Sequence, residues 1–108
     1  MDSILTSIKK LLGIEEAYTQ FDQDIIMHIN TVFVILNQIG IGPEEGFTIS
    51  DAYANWNDFL QNNAKLELVK TYIYLKVRLM FDPPASSAAI ESMKEQIKEL
   101  EWRLSVSV

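Results

Sequence analysis

The sequence feature that most constrains the fold is an apolar-rich run at residues 65–81, KLELVKTYIYLKVRLMF. It contains neither glycine nor proline, and on a helix at about 100° per residue its polar side chains form one narrow stripe. Apolar side chains cover most of the remaining surface, which other helices or a neighbouring subunit must bury. The run therefore predicts a central helix in an all-α fold. Its polar stripe consists of Glu67, Lys70, Thr71, Tyr74 and Arg78.

Lys76 is the exception to this pattern, because it lies opposite the polar stripe, within the apolar arc. Its methylene stem can pack at the edge of the core while its ammonium extends to solvent. The alternative is an ion pair with a carboxylate of another helix or another subunit, since unpaired buried lysine is rare. The sequence leaves both interpretations open.

A short amphipathic helix is predicted at residues 3–12. Asp2 or Ser3 is positioned to cap its start, and Gly13 is positioned to end it in the left-handed conformation. We assign Lys9 to the polar side of this helix. The apolar face consists of Ile4, Leu5, Ile8, Leu11 and Leu12.

A second helix is predicted at residues 24–39, after a linker, with Asp22 as a candidate cap and Gly40 at its end. Most of its apolar side chains share one face, but Met27 and Val34 lie among polar residues on the other. Two such residues are either ordinary surface scatter or part of a contact with a second protein.

The middle of the chain, residues 40–63, is predicted to be largely irregular, because its glycines and its proline exclude a continuous helix. We expect residues 47–49 to form a short extended piece over the core and Asn55 to start a short helix. Trp56 and Phe59 of that helix are expected to fill the core, and the alternative is an aromatic clamp.

The last helix is predicted to follow a Pro-Pro pair, with Ser86 or Ser87 as its cap, and to end near Leu104. A narrow apolar seam runs along it, as on one side of a coiled coil, and Trp102 points away from this seam. A large aromatic side chain on a charged face favours a partner over a monomer core. Residues 105–108 are expected to form a flexible tail or a strand added to a neighbour.

The length, composition and net charge of the chain limit the class of protein. A chain of 108 residues is typical of one domain, here residues 1–108, and we expect a small bundle of about four main helices, one short helix and a long irregular middle loop. The absence of cysteine excludes disulfides and thiolate metal sites. A formal charge of −6 argues against a protein that grips nucleic acid through phosphates. No segment is apolar for long enough to cross a membrane.

The sequence offers little for catalysis. His28 is the only histidine, so one chain cannot supply a two-histidine metal site. It is either a partly buried core residue or a pH-sensitive contact. The carboxylate pairs at residues 15–16 and 44–45 are expected to be solvated, with a divalent ion held between chains as the alternative. We expect neither an enzyme nor a bound cofactor.

Four segments resemble head-tail connector (adaptor) proteins of tailed bacteriophages with long non-contractile tails. They are SILTSIKKLLGIEE, FDQDIIMHINTVFVILNQIG, LVKTYIYLKVRLMFDPP and AIESMKEQIKELEWRL, in this order along nearly the whole chain. The most specific parts are the start that ends in Leu-Gly-Ile and the KTYIYLKVRLMFDPP block. The middle segment is longer than is common in such proteins, which leaves open what it contacts.

The resemblance implies an all-helical virion protein, made in the bacterial host cytoplasm, that forms a homo-oligomeric ring at the head-tail junction. Such rings are commonly dodecameric. The ring would bind the portal protein and other connector or tail-completion proteins, and DNA would pass through it without sequence-specific binding. On this basis we assign subunit contacts to Met27, Val34, Tyr74 and Arg78, with Lys76 as an ionic contact. Trp102 and the tail are assigned to docking on the portal or the next ring.

Two other classes of protein fit the same residues. A small helical adaptor or regulatory protein would bind a partner through the C-terminal amphipathic helix. An accessory subunit of an enzyme, such as a component of a packaging motor, would associate with that motor and not with the portal.

Overall fold

The computed structural model describes residues 3–60 and 65–106. These residues form a small helical bundle, which confirms the predicted all-α fold. The helices are α1 (Ile4–Leu12), α2 (Asp22–Ile39), α3 (Trp56–Phe59), α4 (Leu66–Phe81) and α5 (Ser87–Val106). Because α4 packs against α1, α2 and α5, it is the central helix that the apolar run predicts.

The core follows the apolar arc of α4. Its buried side chains are Leu66, Val69, Tyr72, Ile73, Leu75 and Val77. α5 runs antiparallel to α4, since the Tyr72 hydroxyl donates to the Glu101 carboxylate and Lys76 shares a groove with Ile97 one turn earlier on α5. From the predicted seam of α5, Ile97 and Leu104 are buried in this core.

The ends of α1 are set by the predicted capping residues. The Ser3 side chain accepts a hydrogen bond from the Thr6 amide at 3.2 Å, and Gly13 follows the helix with a φ of 82°. A left-handed φ is adopted by glycine without steric cost, so the chain can turn there. The alternative cap, Asp2, lies outside the described residues.

α5 is longer than predicted. The Ser86 hydroxyl accepts a hydrogen bond from the Ala89 amide at 3.2 Å, as expected of a cap, and the helix continues through Val106. Residues 105 and 106, expected in a tail, are therefore helical. The rest of that predicted tail, residues 107–108, lies outside the described part of the chain.

Lys9 is buried, so its assignment to the polar side of the first helix is wrong. Its side chain is 2% exposed, whereas Leu11, expected on the apolar face, is half exposed. The Lys9 Nζ lies 2.8 Å from Asp22 Oδ1. It also donates to the backbone carbonyls of Tyr18 and Glu16, at 2.7 and 3.0 Å. An ammonium has three donors, and each has an acceptor here, which is why burial is tolerated.

The same ion pair explains the start of α2. The helix begins at Asp22 and not at residue 24, and Phe21 is the N-cap residue without a side-chain hydrogen bond. The expectation that Asp22 caps the helix is therefore wrong, because its carboxylate pairs with Lys9 instead. In the first turn that carboxylate also lies where the helix dipole favours negative charge.

Two asparagines of α2 hold the described part of the middle loop. Asn30 Nδ2 donates to Ile49 O at 2.9 Å, and Asn30 Oδ1 accepts from Ile49 N at 2.8 Å. Two turns later, Asn37 Nδ2 donates to the carbonyls of Pro43 and Glu44, at 3.1 and 3.2 Å. The loop is thus fixed by side chains that satisfy its backbone groups, and Ile49 is buried over the core as expected.

Aromatic side chains fill the space beneath this loop. The ring centroids of Phe47 and Phe59 lie 5.3 and 4.5 Å from that of Phe33 on α2. Gly42, with a φ of 89°, passes so close to Phe59 that a Cβ would overlap its ring. Trp56 is fully buried, so the prediction that Trp56 and Phe59 fill the core is confirmed.

Replacing Lys9 with Met keeps the stem of the side chain and removes the ammonium. Asp22 and two backbone carbonyls then lose their donor, so we expect the free energy of unfolding to fall by about 3 kcal/mol in urea denaturation. Lys10→Met, at the adjacent exposed position, is the matched control and should change it by less than about 0.5 kcal/mol. Equal effects of the two substitutions would contradict the role given to Lys9.

Asn30→Ala should release the middle loop locally. Two hydrogen bonds to the Ile49 backbone are lost, so we expect a destabilisation of about 1–2 kcal/mol. Hydrogen exchange at the Ile49 amide should become faster in the folded protein. Thr31→Ala, at the adjacent exposed position, is the control and should leave that exchange rate unchanged. If Asn30→Ala also leaves the rate unchanged, other contacts hold the loop.

Candidate assembly surfaces

The outer face of α2 exposes two large apolar side chains. Met27 is 58% exposed and Val34 is 57% exposed. Asp24, Thr31 and Gln38 are exposed on the same stripe of the helix. The side chains assigned to a contact from the sequence are therefore free to make one, although exposure alone does not select the partner.

Trp102 is 63% exposed near the end of α5, and Val106, one turn later, is equally exposed. The side of the helix next to Trp102 carries an ion pair, in which Arg103 Nη2 lies 3.0 Å from Glu99 Oε1. An exposed tryptophan beside charged residues is typical of a contact with another protein. The described residues leave this aromatic surface uncovered.

Tyr74 and Arg78, also assigned to subunit contacts, bind each other. Arg78 Nη1 donates to the Tyr74 hydroxyl at 3.2 Å, and Arg78 Nε donates to the backbone carbonyl of Asp82 at 3.0 Å. The guanidinium therefore closes the C-terminal end of α4, and only part of it remains available to a partner. Within residues 3–60 and 65–106, no hydrogen bond or ion pair joins this pair to Met27 or Val34.

Lys76 lies at a groove between α4 and α5, to which Ile35 of α2 also contributes. We call it the lysine groove. Its volume is about 370 Å³. It is lined by four apolar side chains, three lysines and Glu101. The apolar residues are Ile35, Leu79, Met80 and Ile97, and the lysines are Lys76, Lys94 and Lys98.

The charges of this groove are poorly compensated. Lys94 lies 3.9 Å from Glu91, and Lys98 lies 3.9 Å from Glu95, in pairs that are more than half exposed. Such surface pairs contribute about 0–1 kcal/mol. No carboxylate within residues 3–60 and 65–106 forms an ion pair with Lys76. The groove is thus lined by three lysines and one glutamate on a chain whose formal charge is −6.

Glu101 is held by Tyr72 and not by the lysines. The Tyr72 hydroxyl donates to Glu101 Oε2 at 2.6 Å. Burial raises the pKa of the Tyr72 hydroxyl well above its ordinary value, and the hydrogen bond and negative charge of Glu101 act in the same direction. Tyr72 therefore remains a neutral donor at physiological pH and fixes α5 against α4.

A second charged surface lies on the linker between α1 and α2. We call residues 15–18 the acidic turn. The Tyr18 amide donates to the Glu15 carbonyl at 3.0 Å, and the Lys9 ammonium binds the carbonyls of Glu16 and Tyr18 from below. The side chains of Glu15, Glu16 and Tyr18 are exposed. The buried lysine thus fixes the backbone of a turn whose carboxylates face outward.

The sequence pattern indicates that Glu15 and Glu16 are solvated but does not reveal the support beneath them. That support comes from Lys9, whose partners are mostly backbone carbonyls of an irregular segment. The only available signal is that Lys9 lies beside Leu5 on a helical wheel, at the edge of the apolar face.

His28 and the acidic residues were the other candidates for a functional site. His28 is half-buried, with its ring centroid 6.4 Å from that of Phe81. Within the described residues no group of His, Asp and Glu side chains is arranged to hold a metal ion. The described helices also include none that is both long and apolar enough to span a bilayer.

The fold and its uncovered surfaces define a small all-α protein equipped to assemble with other proteins. The sequence model of a family described as phage connector protein matches residues 4–108, and the chain belongs to that family. No match was found among curated proteins or among solved structures. The resemblance to phage head-tail connectors is thereby confirmed. As a phage connector, the chain is a virion component that interacts with other phage assembly proteins.

Tyr72 should make stability depend on pH at the alkaline end. The folded-state pKa lies above the unfolded value of about 10, so this stabilisation is present below about pH 10 and is lost as the pH rises further. Above about pH 10 the free energy of unfolding of the natural protein should fall with pH. In Tyr72→Phe we expect that fall to be smaller by about 1 kcal/mol per pH unit. The measurement is urea denaturation at about pH 9 and pH 11.

Tyr53→Phe serves as the control for this comparison, because Tyr53 is almost fully exposed on the middle loop. It should keep the pH dependence of the natural protein. If Tyr72→Phe keeps it too, the Tyr72 hydroxyl is not the group that loses its proton.

Proposed function

We propose that this connector assembles as a ring beneath the portal at the head-tail junction, where it extends the DNA channel and joins capsid to tail. The observation that carries the proposal is the family match over residues 4–108. The uncovered apolar side chains on α2 and α5 support it, because large exposed apolar side chains favour protein contacts. The role is structural and involves no catalysis.

In this proposal the ring is built from contacts between copies of the chain. Met27 and Val34 on the outer face of α2 supply apolar surface, and Tyr74, Lys76 and Arg78 of α4 supply polar and charged groups. A ring buries these surfaces in heterologous contacts, in which one patch of each subunit meets a different patch of the next. The acidic balance of the chain suits a channel that DNA passes without adhering.

Docking on the portal or on the next connector is assigned to the end of α5. Trp102 is the anchor, since aromatic side chains that enter a partner's pocket contribute much of the affinity of an interface. The exposed Val106 extends the same apolar surface toward the C-terminus.

The experiment that tests this function measures the mass of the purified protein by light scattering, alone and after mixing with the portal protein of the same phage. A ring-sized species, or a large complex that contains both proteins, is the expected result. A monomer that does not bind the portal protein would contradict the proposal and would favour a small helical adaptor that binds through α5.

Trp102→Ala should weaken portal binding by about tenfold or more, since truncation of an aromatic anchor costs at least about 2 kcal/mol. Its free energy of unfolding should stay within about 0.5 kcal/mol of the natural protein, because Trp102 is exposed. Binding is measured by biolayer interferometry on immobilised portal. Tyr53→Ala removes another exposed aromatic side chain, on the middle loop, and should bind normally.

If Trp102→Ala unfolds, Trp102 belongs to the core and the assigned docking role is wrong. Normal binding by the folded variant would contradict that role as directly.

A further inference from the structure

We propose that the acidic turn of one subunit inserts into the lysine groove of an adjacent copy, and that this contact joins the subunits of the ring. The inference rests on the proposed function, because it needs a ring. It adds to the proposed function by naming the two surfaces, one with exposed carboxylates and one with exposed lysines, that meet at each subunit boundary.

The lysine groove defines the chemistry of its occupant. Its four apolar side chains can accept an apolar or aromatic group, and Lys76, Lys94 and Lys98 line the same groove. Lys94 and Lys98 form only exposed, weak pairs and Lys76 forms none among the described residues, so these charges can attract a further negative partner. An occupant that combines an aromatic side chain with adjacent carboxylates satisfies both requirements.

The acidic turn has that composition. Glu15 and Glu16 are adjacent and exposed, and Tyr18, two residues later, is 46% exposed. Within the described residues neither carboxylate forms an ion pair. Each subunit therefore carries a turn with two unpaired carboxylates and a groove lined by three lysines and one glutamate.

Lys9 prepares this turn for binding. Its ammonium holds the carbonyls of Glu16 and Tyr18 and is itself anchored by Asp22. A turn that is already fixed loses little conformational freedom on docking, which favours a contact made by few residues. The buried ammonium thereby has a consequence at the surface.

The size of the groove favours a turn over a longer element. About 370 Å³ lies near the lower end of the range for ligand pockets, about 300–1,000 Å³. Such a space holds one or two side chains, such as that of Tyr18, while the two glutamates reach the lysines at its sides. A whole helix would contact the groove only through a few of its residues.

The two surfaces are different, so the contact between them is heterologous. Each subunit offers its turn to one neighbour and its groove to the other, and such contacts generate a ring when the rotation between subunits closes. An isologous dimer, by contrast, would use the same patch on both partners. The charge arrangement thus agrees with cyclic assembly.

The test uses charge reversal on each surface. The groove variant carries Lys94→Glu and Lys98→Glu, and the turn variant carries Glu15→Lys and Glu16→Lys. All four side chains are exposed, so both variants should fold, as circular dichroism and urea denaturation can verify. Assembly is followed by sedimentation velocity with the portal protein of the same phage, over a range of subunit concentrations.

For either variant alone, the subunit concentration at which half of the protein is assembled should rise by at least about tenfold, because like charges then face each other. An equal mixture of the two should recover assembly, because the variants can alternate around the ring. The acidic groove then meets the basic turn at every second boundary, and the natural turn meets the natural groove at the boundaries between. The control variant, Glu44→Lys with Glu45→Lys, reverses an exposed acidic pair on the middle loop and should assemble normally.

Normal assembly of either variant alone would overturn the inference and leave the proposed ring intact. Loss of assembly that the mixture does not restore would also overturn it, because the effect would then be one of total charge. A groove variant that still forms rings but no longer binds portal would assign the groove to the portal instead. If the natural protein forms no ring with or without portal, the proposed function fails, and the inference fails with it.

Discussion

The buried ammonium of Lys9 determines how the first part of the chain is arranged. A charged group can leave water only where its donors find acceptors, and the acceptors here belong to residues 16, 18 and 22. The end of α1, the linker and the start of α2 are therefore fixed with respect to one another. The linker lacks regular structure, and yet its backbone has a defined course because a helix beneath it supplies the hydrogen bonds.

The middle loop is also held by hydrogen bonds from helix side chains to its backbone, but here the side chains are neutral. Asn30 and Asn37 satisfy backbone atoms of Ile49, Pro43 and Glu44, much as a neighbouring strand would. The first linker and residues 43–49 of the middle loop are thus held by polar side chains of α1 and α2. Ordered connections are suited to assembly, since less conformational entropy is lost when they bind.

Local spacing was sufficient to predict the central helix and the end of α1 at Gly13, and it left Ser3 as one of two candidate caps, because these depend on residues close in sequence. The burial of Trp56 followed from its apolar character, although its indole Nε1 donates to the Ser7 hydroxyl, which is distant in sequence. It could not place Lys9, whose acceptors are backbone carbonyls of an irregular segment. The exposure of Met27, Val34 and Trp102 also follows from helical position. The lysine groove does not, because it forms only when α4 and α5 pack antiparallel and bring Lys76 beside two lysines distant in sequence.

The most direct test of the account is an electron cryomicroscopy reconstruction of the head-tail junction in virions of the phage that encodes this chain. The account predicts a ring of this helical fold directly beneath the portal, with the end of α5 on a neighbouring component. At each subunit boundary, residues 15–18 should contact the groove between α4 and α5 of the next copy. A chain absent from the junction, or present there without a ring, would contradict the account.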